Sequence, residues 1–238
     1  MQGLLHYLYP PRCLSCDALV TEDFGLCGTC WAATRFLTGL VCDKCGAALP
    51  GEEDGTPILC DDCLTIARPW ARGRAALAYD GNGRRLVLAL KHGDRQDIAR
   101  PAGGWLLRAA EPILQPGMLV APVPLHWLRL VRRRYNQAAL LSREVARRAG
   151  LEHCPDLLIR RRRTPSQEGR DRAARFANLA EAVAVAPRRA PLLAGRAVLL
   201  VDDVMTSGAT FAAAAEACLA AGAATVSVLA LARVAKEP

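Results

Sequence analysis

The chain has 238 residues, more than the most common size of a single domain, so we expect one large domain or two unequal ones. Its hydrophobic content of 52% is ample for a core, and no apolar run approaches the ~18 residues of a membrane helix. Residues 1–12 lack the basic start and the cleavage site of a secretory signal. We therefore expect a cytoplasmic protein without membrane insertion.

The formal net charge of +8 is unevenly distributed. Residues 1–68 hold 4 basic and 9 acidic residues, a net of −5, whereas the remainder holds 27 basic and 14 acidic residues, a net of +13. All but three of the cations are arginines, which indicates a compositional bias as well as a function. The basic character belongs to the second part of the chain, and nothing in the first part predicts a nucleic-acid finger by itself.

Eight of the ten cysteines form four CxxC pairs near the start of the chain. Each CxxC turn presents two thiolates to one tetrahedral ion, and two such turns complete a site with four sulfur ligands. Ten residues separate the first two pairs and fourteen the last two, which favours two sequential sites over an interleaved arrangement. The sequential sites would comprise Cys13, Cys16, Cys27 and Cys30, and then Cys42, Cys45, Cys60 and Cys63.

Zinc is the metal that these four pairs predict, with two ions per chain. A disulfide framework is typical of secreted chains, and a redox-active CxxC needs a thioredoxin-like setting that is missing here. A segment this short and this poor in apolar residues needs a metal to fold, so both ions are expected to be structural. We interpret residues 1–68 as a double zinc-ribbon domain that serves as an interaction or scaffold module, and residues 69–238 as a second domain.

Strands and helices are predicted to alternate through residues 69–125. The strands are expected at residues 75–79 and 118–121, and the helices at 84–91 and 102–110, with a turn at 80–83. Lys91, at the end of the first helix, either reaches toward an anion or is an ordinary exposed cation. The segment Pro122, Val123, Pro124 and Leu125 marks the end of the second strand, where a strained or cis peptide would fit.

Two basic segments flank a helix predicted at residues 136–149. The run at 129–134 either supplies arginines such as Arg133 for phosphate contacts or is a solvated helix start. Residues 160–175 are strongly basic with little apolar content, which indicates either a disordered linker or a loop that closes over a ligand. The fixed fork of donors in arginine suits pyrophosphate and a nucleic-acid backbone equally.

Residues 197–221 are interpreted as a strand, a loop and a helix. The apolar run 197–201 is typical of a strand buried on both faces of a parallel sheet, and Asp202 and Asp203 mark its end. The loop and the helix start are made of small or hydroxylic residues, namely Thr206, Ser207, Gly208, Ala209 and Thr210. Backbone N–H groups there can converge on a phosphate, while the two carboxylates accept hydrogen bonds from vicinal hydroxyls.

That combination predicts a sugar-phosphate site, since the Walker and GxGxxG patterns are both absent. The alternative is a buried strand that happens to end in two acids, followed by an ordinary capped helix. Residues 225–232 are predicted to form the last strand, parallel to the run at 197–201.

Residues 198–210 resemble, position by position, the 5-phosphoribosyl-1-pyrophosphate (PRPP) motif of type I phosphoribosyltransferases. The chain as a whole resembles the ComF competence family, through the cysteine pairs and a set of short motifs. These motifs are Lys91, Pro122 to Pro124, Arg132 to Ala138, Arg160 with Thr164 and Gln167, Asn178, and the PRPP motif itself. His92 and Arg134 depart from the commoner Phe and Gly. The resemblance implies an α/β phosphoribosyltransferase core, with a mostly parallel sheet flanked by helices, preceded by a small zinc-ribbon domain.

The resemblance also implies a ligand, Mg-PRPP or a related sugar phosphate. Asp202 and Asp203 would hold the ribose hydroxyls, and residues 206–210 the 5-phosphate. Pyrophosphate would meet the proline segment and a set of closing side chains, namely Lys91, Arg133, Arg160, Thr164 and Gln167.

Two functions from different classes are consistent with this ligand. In one, the protein handles single-stranded DNA during DNA uptake and natural transformation, with competence proteins as partners. In the other, it is an active phosphoribosyltransferase of nucleotide or amine metabolism whose acceptor the sequence does not reveal. The residues identify no catalytic group.

Overall fold

A five-stranded parallel sheet forms the centre of the computed structural model, which describes residues 9–92, 95–125, 135–160 and 183–234. Its strands are β1 (Arg72–Ala78), β2 (Leu119–Pro122), β3 (Glu152–His153), β6 (Ala197–Met205) and β7 (Thr225–Arg233), while β4 (Leu158–Arg160) and β5 (Val183–Val185) form a separate antiparallel pair. The spatial order of the sheet is β1, β7, β6, β2, β3, and each neighbouring pair is parallel. The expected α/β fold with a mostly parallel sheet is confirmed.

Helices cover both faces of the sheet. Those on the sheet are α3 (Gly81–His92), α4 (Ala99–Ala110), α5 (Gln137–Ala149) and α6 (Ala209–Ala220), whereas the short helices α1 (Gly28–Ala32) and α2 (Asp61–Thr65) contain the ribbon cysteines Cys30 and Cys63. One face packs against α3, α4 and α5 through buried residues such as Leu86, Leu106 and Leu141. Burying each such leucine contributes about 1.5–3 kcal/mol. The other face packs against the alanine-rich α6, which is buried along most of its length. None of the helices in the described ranges is both long and apolar enough to cross a membrane.

The second cysteine-rich ribbon lies directly against the sheet. Gly46 has a φ of 67°, and a Cβ there would lie 2.6 Å from the backbone nitrogen of Ala75 in β1. Cys42 and Cys45 belong to the same buried cluster as Phe211 of α6. The ribbon and the sheet therefore share one hydrophobic core, and a division of the chain at residue 68 stays a prediction.

Several boundaries differ from those expected from the sequence. Strand β6 continues through the two acids to Met205, because its extended part pairs with β7, with Asp202 opposite Ala230 and Met205 opposite Arg233. Helix α3 begins at Gly81, so the turn expected at residues 80–83 is instead the first helical turn. The described residues contain no cis peptide bond, so the proline segment runs in the trans form as far as Leu125.

Candidate functional site

The eight paired cysteines form two compact sulfur clusters. The Sγ atoms of Cys13, Cys16, Cys27 and Cys30 lie within 4.8 Å of one another, and so do those of Cys42, Cys45, Cys60 and Cys63. The arrangement is therefore sequential, not interleaved. We call these clusters the first and the second zinc site.

Both clusters have the donor chemistry of a structural zinc site. The Sγ of Cys13 accepts a hydrogen bond from the backbone N–H of Cys27 at 3.3 Å, and the Sγ of Cys42 accepts one from the N–H of Cys60, also at 3.3 Å. A hydrogen bond with Cys45 lowers the pKa of the Cys42 thiol to about 4, against the opposing effect of burial. Four sulfurs at this spacing, with N–H groups directed at them, suit a tetrahedral Zn²⁺ with no open position. The clusters thus support two structural zinc ions.

The two acids of the PRPP-like motif lie at the carboxyl end of β6, in the middle of the sheet. Asp203 is largely buried, and its Oδ1 lies 3.1 Å from the Nζ of Lys91 at the end of α3. The Asp202 carboxylate accepts a hydrogen bond from the backbone N–H of Asp203 at 2.8 Å. Lys91 is therefore paired with a carboxylate of the protein rather than freely exposed, and its contact with a ligand stays a prediction.

The pKa of the Asp202 carboxyl group is raised well above the ordinary value for aspartate. Desolvation, with the neighbouring charge of Asp203 as the second cause, raises the pKa of Asp202 to about 8, although the charges of Lys91 and Arg160 oppose the shift. Arg160 ends β4, so its charge reaches the motif from outside the main sheet. A carboxyl group held neutral at pH 7 is poised to ionise when a cation or a hydroxyl donor approaches.

The loop after β6, residues 206–210, leads into α6 without a side-chain cap. Gly208 takes a left-handed conformation, with φ of 79°, directly before the helix. The first N–H groups of a helix have no intrahelical acceptor, and the helix dipole adds partial positive charge at the same point. Thr206 is exposed, and Ser207 and Thr210 are half-buried. The N–H of Ala209 donates to the hydroxyl oxygen of Ser207 at 3.4 Å, and a loop that leads into a helix start in this way is the type of backbone that binds anions.

The proline segment lies beside this loop because β2 is the neighbour of β6. Pro122 pairs with Val201, and the N–H of Val123 donates to the carbonyl oxygen of Val201 at 2.9 Å. The side chain of Asn136 caps α5 and also donates to the carbonyl oxygen of Val123 at 3.3 Å. Pro124 is buried and Leu125 half-buried. Asn136 thus holds the segment in shape, a role that its place in a sequence motif had not revealed.

The structure brings most of the predicted site residues to one edge of the sheet. Asp202, Asp203, residues 206–210, the proline segment, Lys91 and Arg160 converge there, whereas Arg133, Thr164 and Gln167 lie outside the described residues. A role of any of these residues in binding PRPP stays a prediction.

Three residues near the loop carry no signal in the sequence motifs. Arg68 donates to the carbonyl oxygen of Ser207 at 2.7 Å, and the buried Arg233 donates to that of Thr206 at 2.7 Å. A Cβ at Gly208 would lie 3.0 Å from the ring of Trp70. The only sequence signal for these contacts was Arg233, the single arginine in the apolar strand β7.

Two protein families match separate parts of the chain. Residues 4–64 match the double zinc ribbon domain, and residues 136–237 match the phosphoribosyl transferase domain. The first match covers all eight clustered cysteines, and the second covers α5, β6, the loop and β7.

Relatives that match this chain over most of their length are named for DNA utilization or for competence. The chain is 32% identical over 231 residues to DNA utilization protein YhgH of Shigella flexneri and also to that of Escherichia coli strain K12, and each match spans 94% of this chain and 97% of the relative. It is 29% identical over 207 residues to competence protein F of Haemophilus influenzae, covering 84% of this chain and 86% of the relative.

Among solved structures, the chain is similar to glutamine PRPP amidotransferase from B. subtilis complexed with ADP and GMP. The match covers 61% of this chain and 30% of the other, with 19% identity and a TM-score of 0.41. A likeness this weak supports no statement about activity.

Proposed function

The chain belongs to the ComF family of proteins with a double zinc ribbon and a phosphoribosyltransferase domain, and from its site we propose that it binds Mg-PRPP. The observation that supports this most is the convergence of an acid pair, an uncapped helix start and a proline segment on one sheet edge. The acids would accept hydrogen bonds from the ribose hydroxyls while residues 206–210 bind the 5-phosphate. Mg²⁺ would be held mainly by phosphate oxygens and water, with Asp202 and Asp203 as the nearby carboxylates.

The pyrophosphate group would lie at the part of the sheet edge where the cations are. Lys91 is within 3.1 Å of Asp203, and the charge of Arg160 acts on Asp202, so both cations reach the acids from different elements. The predicted contacts from Arg133, Thr164 and Gln167 would complete this side. PRPP would then replace part of the attraction between acids and cations with contacts of its own.

The phosphate role of the loop can be tested with two matched glycines. Gly208→Ala puts a Cβ on a residue with φ of 79° and within 3.0 Å of Trp70, so the loop must shift. Gly195→Ala imposes similar strain at φ of 68° but has nothing within 4 Å of the added atom. We expect Gly208→Ala alone to weaken the binding of ribose 5-phosphate, measured by calorimetry. Equal affinities in both variants would contradict the assignment.

We also infer that the protein acts in DNA uptake by contacting single-stranded DNA, as the names of its relatives and the net charge of +13 after residue 68 suggest. A groove of about 710 Å³ between the ribbons and α4 supports this proposal. Three aromatic rings line it, with centroids 4.6 Å apart for Trp31 and Phe36 and 5.6 Å apart for Phe36 and Trp105. The exposed Arg108 also faces it. Aromatic platforms with nearby arginines are what single-strand binders use.

This groove differs from the basic runs at 129–134 and 160–175, which the sequence suggested as the DNA surface. Asp43 and Glu53 also line the groove, but Asp43 is already paired with Arg72 and Arg74. Trp31, with 49% of its surface exposed, is the ring best able to stack on a base. DNA would therefore lie at the ribbon face, away from the carboxyl edge of the sheet.

An active transferase remains the alternative function. An acceptor nucleophile would form a bond to C1 of the ribose while the bond from C1 to pyrophosphate breaks, and pyrophosphate would leave with the electron pair. Incubating Mg-PRPP with purine and pyrimidine bases and with amines tests this, with released pyrophosphate as the readout. Release that depends on one acceptor would favour the enzyme, whereas binding without release would favour a regulatory ligand.

A further inference from the structure

We infer that the second zinc site holds the loop at residues 206–210 in its observed conformation. It does so through Arg68 and Arg233, which lie between the cysteines of this site and the carbonyl oxygens of the loop. These two arginines would be positioning residues and need not touch the ligand. The inference rests on the proposed function only for the identity of the ligand, since the loop conformation itself can be measured without one.

Arg233 makes the first connection. Its side chain is buried, with 6% of the residue exposed, and Nη1 donates to the carbonyl oxygens of Met205 at 3.2 Å and Thr206 at 2.7 Å. Its Nη2 lies 3.8 Å from the Sγ of Cys45, within reach of a hydrogen bond to sulfur. One guanidinium therefore contacts both a zinc ligand and the first residue of the loop.

Arg68 makes the second connection, from the other side of the loop. Its Nη1 donates to the carbonyl oxygen of Ser207 at 2.7 Å, and its guanidinium lies beside the sulfur of Cys63. The same guanidinium lies 5.3 Å from the ring centroid of Trp70, the ring that packs against Gly208. Two successive loop carbonyls are thus held by two arginines, one in contact with Cys45 and the other beside Cys63.

Electrostatics explains why arginines occupy these positions. Four thiolates around Zn²⁺ leave a net charge of −2 in a largely buried region, and a buried charge needs a partner. Two guanidinium groups neutralise it, and their remaining N–H donors are then directed at the carbonyls of the loop. Without zinc, the sulfur cluster would no longer hold the two arginines in place, and the loop would lose its support.

The peptide backbone of the ribbon adds a second support. Trp70 donates from Nε1 to the carbonyl oxygen of Lys44, at 2.6 Å, and Lys44 donates from Nζ to the carbonyl oxygen of Trp70, at 2.9 Å. Lys44 lies between Cys42 and Cys45 in the knuckle of the second site. Trp70 in turn contacts Phe211 of α6, with ring centroids 6.3 Å apart.

The first zinc site offers a control because its contacts lead to other parts of the fold. Its neighbour Ser15 contacts Asn82 at the start of α3, Asn82 donates to the carbonyl oxygen of Cys30 at 3.2 Å, and Leu14 is buried in the cluster on the opposite face of the sheet. Within the described residues, no hydrogen bond of this site reaches the loop.

Hydrogen exchange on full-length, ligand-free protein tests the inference. The informative variants are Cys60→Ser in the second site and Cys27→Ser in the first, two cysteines of comparable intermediate exposure, with zinc content measured for each. Arg68→Gln is the third variant, because it leaves every zinc ligand in place. We expect peptides covering residues 205–211 to exchange at least about tenfold faster in Cys60→Ser and Arg68→Gln, the effect of losing one charge-assisted hydrogen bond.

Cys27→Ser should leave the exchange of these peptides as in the wild type. Equal exchange in wild type and Arg68→Gln would overturn the inference, and so would equal acceleration in both cysteine variants, since that would indicate general loosening. If Cys60→Ser fails to fold, Arg68→Gln decides alone. Failure of the proposed function would instead appear as normal loop protection without PRPP binding.

Discussion

Lys91 at the end of α3 and Asp203 in β6 form an ion pair of 3.1 Å, with only 18% and 12% of the two side chains exposed. The pair joins the helix that follows β1 to the acid motif in the middle of the sheet. Removing one partner of a buried pair leaves an uncompensated charge, which is more costly than removing both. Lys91 therefore stabilises the ligand-free site.

Substituting Lys91 should destabilise the protein measurably. Lys91→Met leaves Asp203 without its cation beside Asp202, and we expect a loss of about 2 kcal/mol in the free energy of unfolding, measured with urea. The double variant Lys91→Met with Asp203→Asn should recover most of this loss. If the single and double variants unfold alike, the ion pair contributes no net coupling.

The pKa of Asp202 predicts a pH dependence of PRPP binding. Because the pKa is raised to about 8, the carboxyl group is mostly neutral at pH 7, and a ligand that needs the carboxylate must displace its proton. Affinity should rise from pH 6 to pH 8, with proton release visible in buffers of different ionisation enthalpy. Asp202→Asn should bind more weakly and should lack the part of the pH dependence that belongs to the protein.

The same shift has a consequence for stability. The pKa of Asp202 is higher in the folded than in the unfolded protein. The protein therefore loses stability as the pH rises from the unfolded-state pKa to the folded-state pKa. Asp202→Asn should therefore melt at a higher temperature than the wild type at pH 8, and the difference should shrink toward pH 5. A difference that stays constant across this range would show that Asp202 does not titrate as described.

Zinc content provides an independent prediction. Protein purified without chelator should contain about two zinc ions per chain, since each cluster supplies four sulfurs. A strong chelator should unfold the ribbons and also lower the melting temperature of the sheet, because Cys42, Cys45 and Cys63 belong to its buried cluster. One ion or none, or eight oxidised cysteines, would refute the double-ribbon assignment.

Single-stranded DNA binding should fall steeply with salt if it neutralises phosphates. A labelled oligonucleotide titrated at two salt concentrations measures this for the wild type and for a variant with Arg160 to Arg163 changed to Ala, which should bind like the wild type because Arg160 does not line the groove. Trp31→Ala should weaken binding by about tenfold, the value of roughly one stacked base. Tyr9→Ala, at an aromatic residue that is 77% exposed and outside the groove, is the matched control. The proposal fails if no binding occurs at low salt.

Local patterns predicted much of the molecule correctly. Cysteine spacing gave two sequential clusters, because a CxxC turn fixes its geometry within four residues. Branched apolar runs gave the buried strands β6 and β7. The end of β6 was wrong because strand length is decided by the neighbouring strand, and β7 offers partners as far as Arg233.

The hydrogen bonds from Arg68 and Arg233 to the loop at residues 206–210 could not be predicted from the sequence. Cys45 and Arg233 are 188 positions apart, and Arg68 and Ser207 are 139 positions apart. Such contacts depend on how the ribbon packs on the sheet, which no local pattern encodes. The pyrophosphate contacts of Thr164 and Gln167 stay predictions that rest on the family resemblance alone.

Calorimetric titration of the zinc-loaded chain with Mg-PRPP is the decisive measurement of whether the sheet edge binds this ligand. We expect one PRPP per chain, dependence on Mg²⁺ and marked weakening in Asp202→Asn, while Gly195→Ala binds like the wild type. Absence of binding to folded protein that contains two zinc ions would contradict it, as would undiminished affinity in Asp202→Asn.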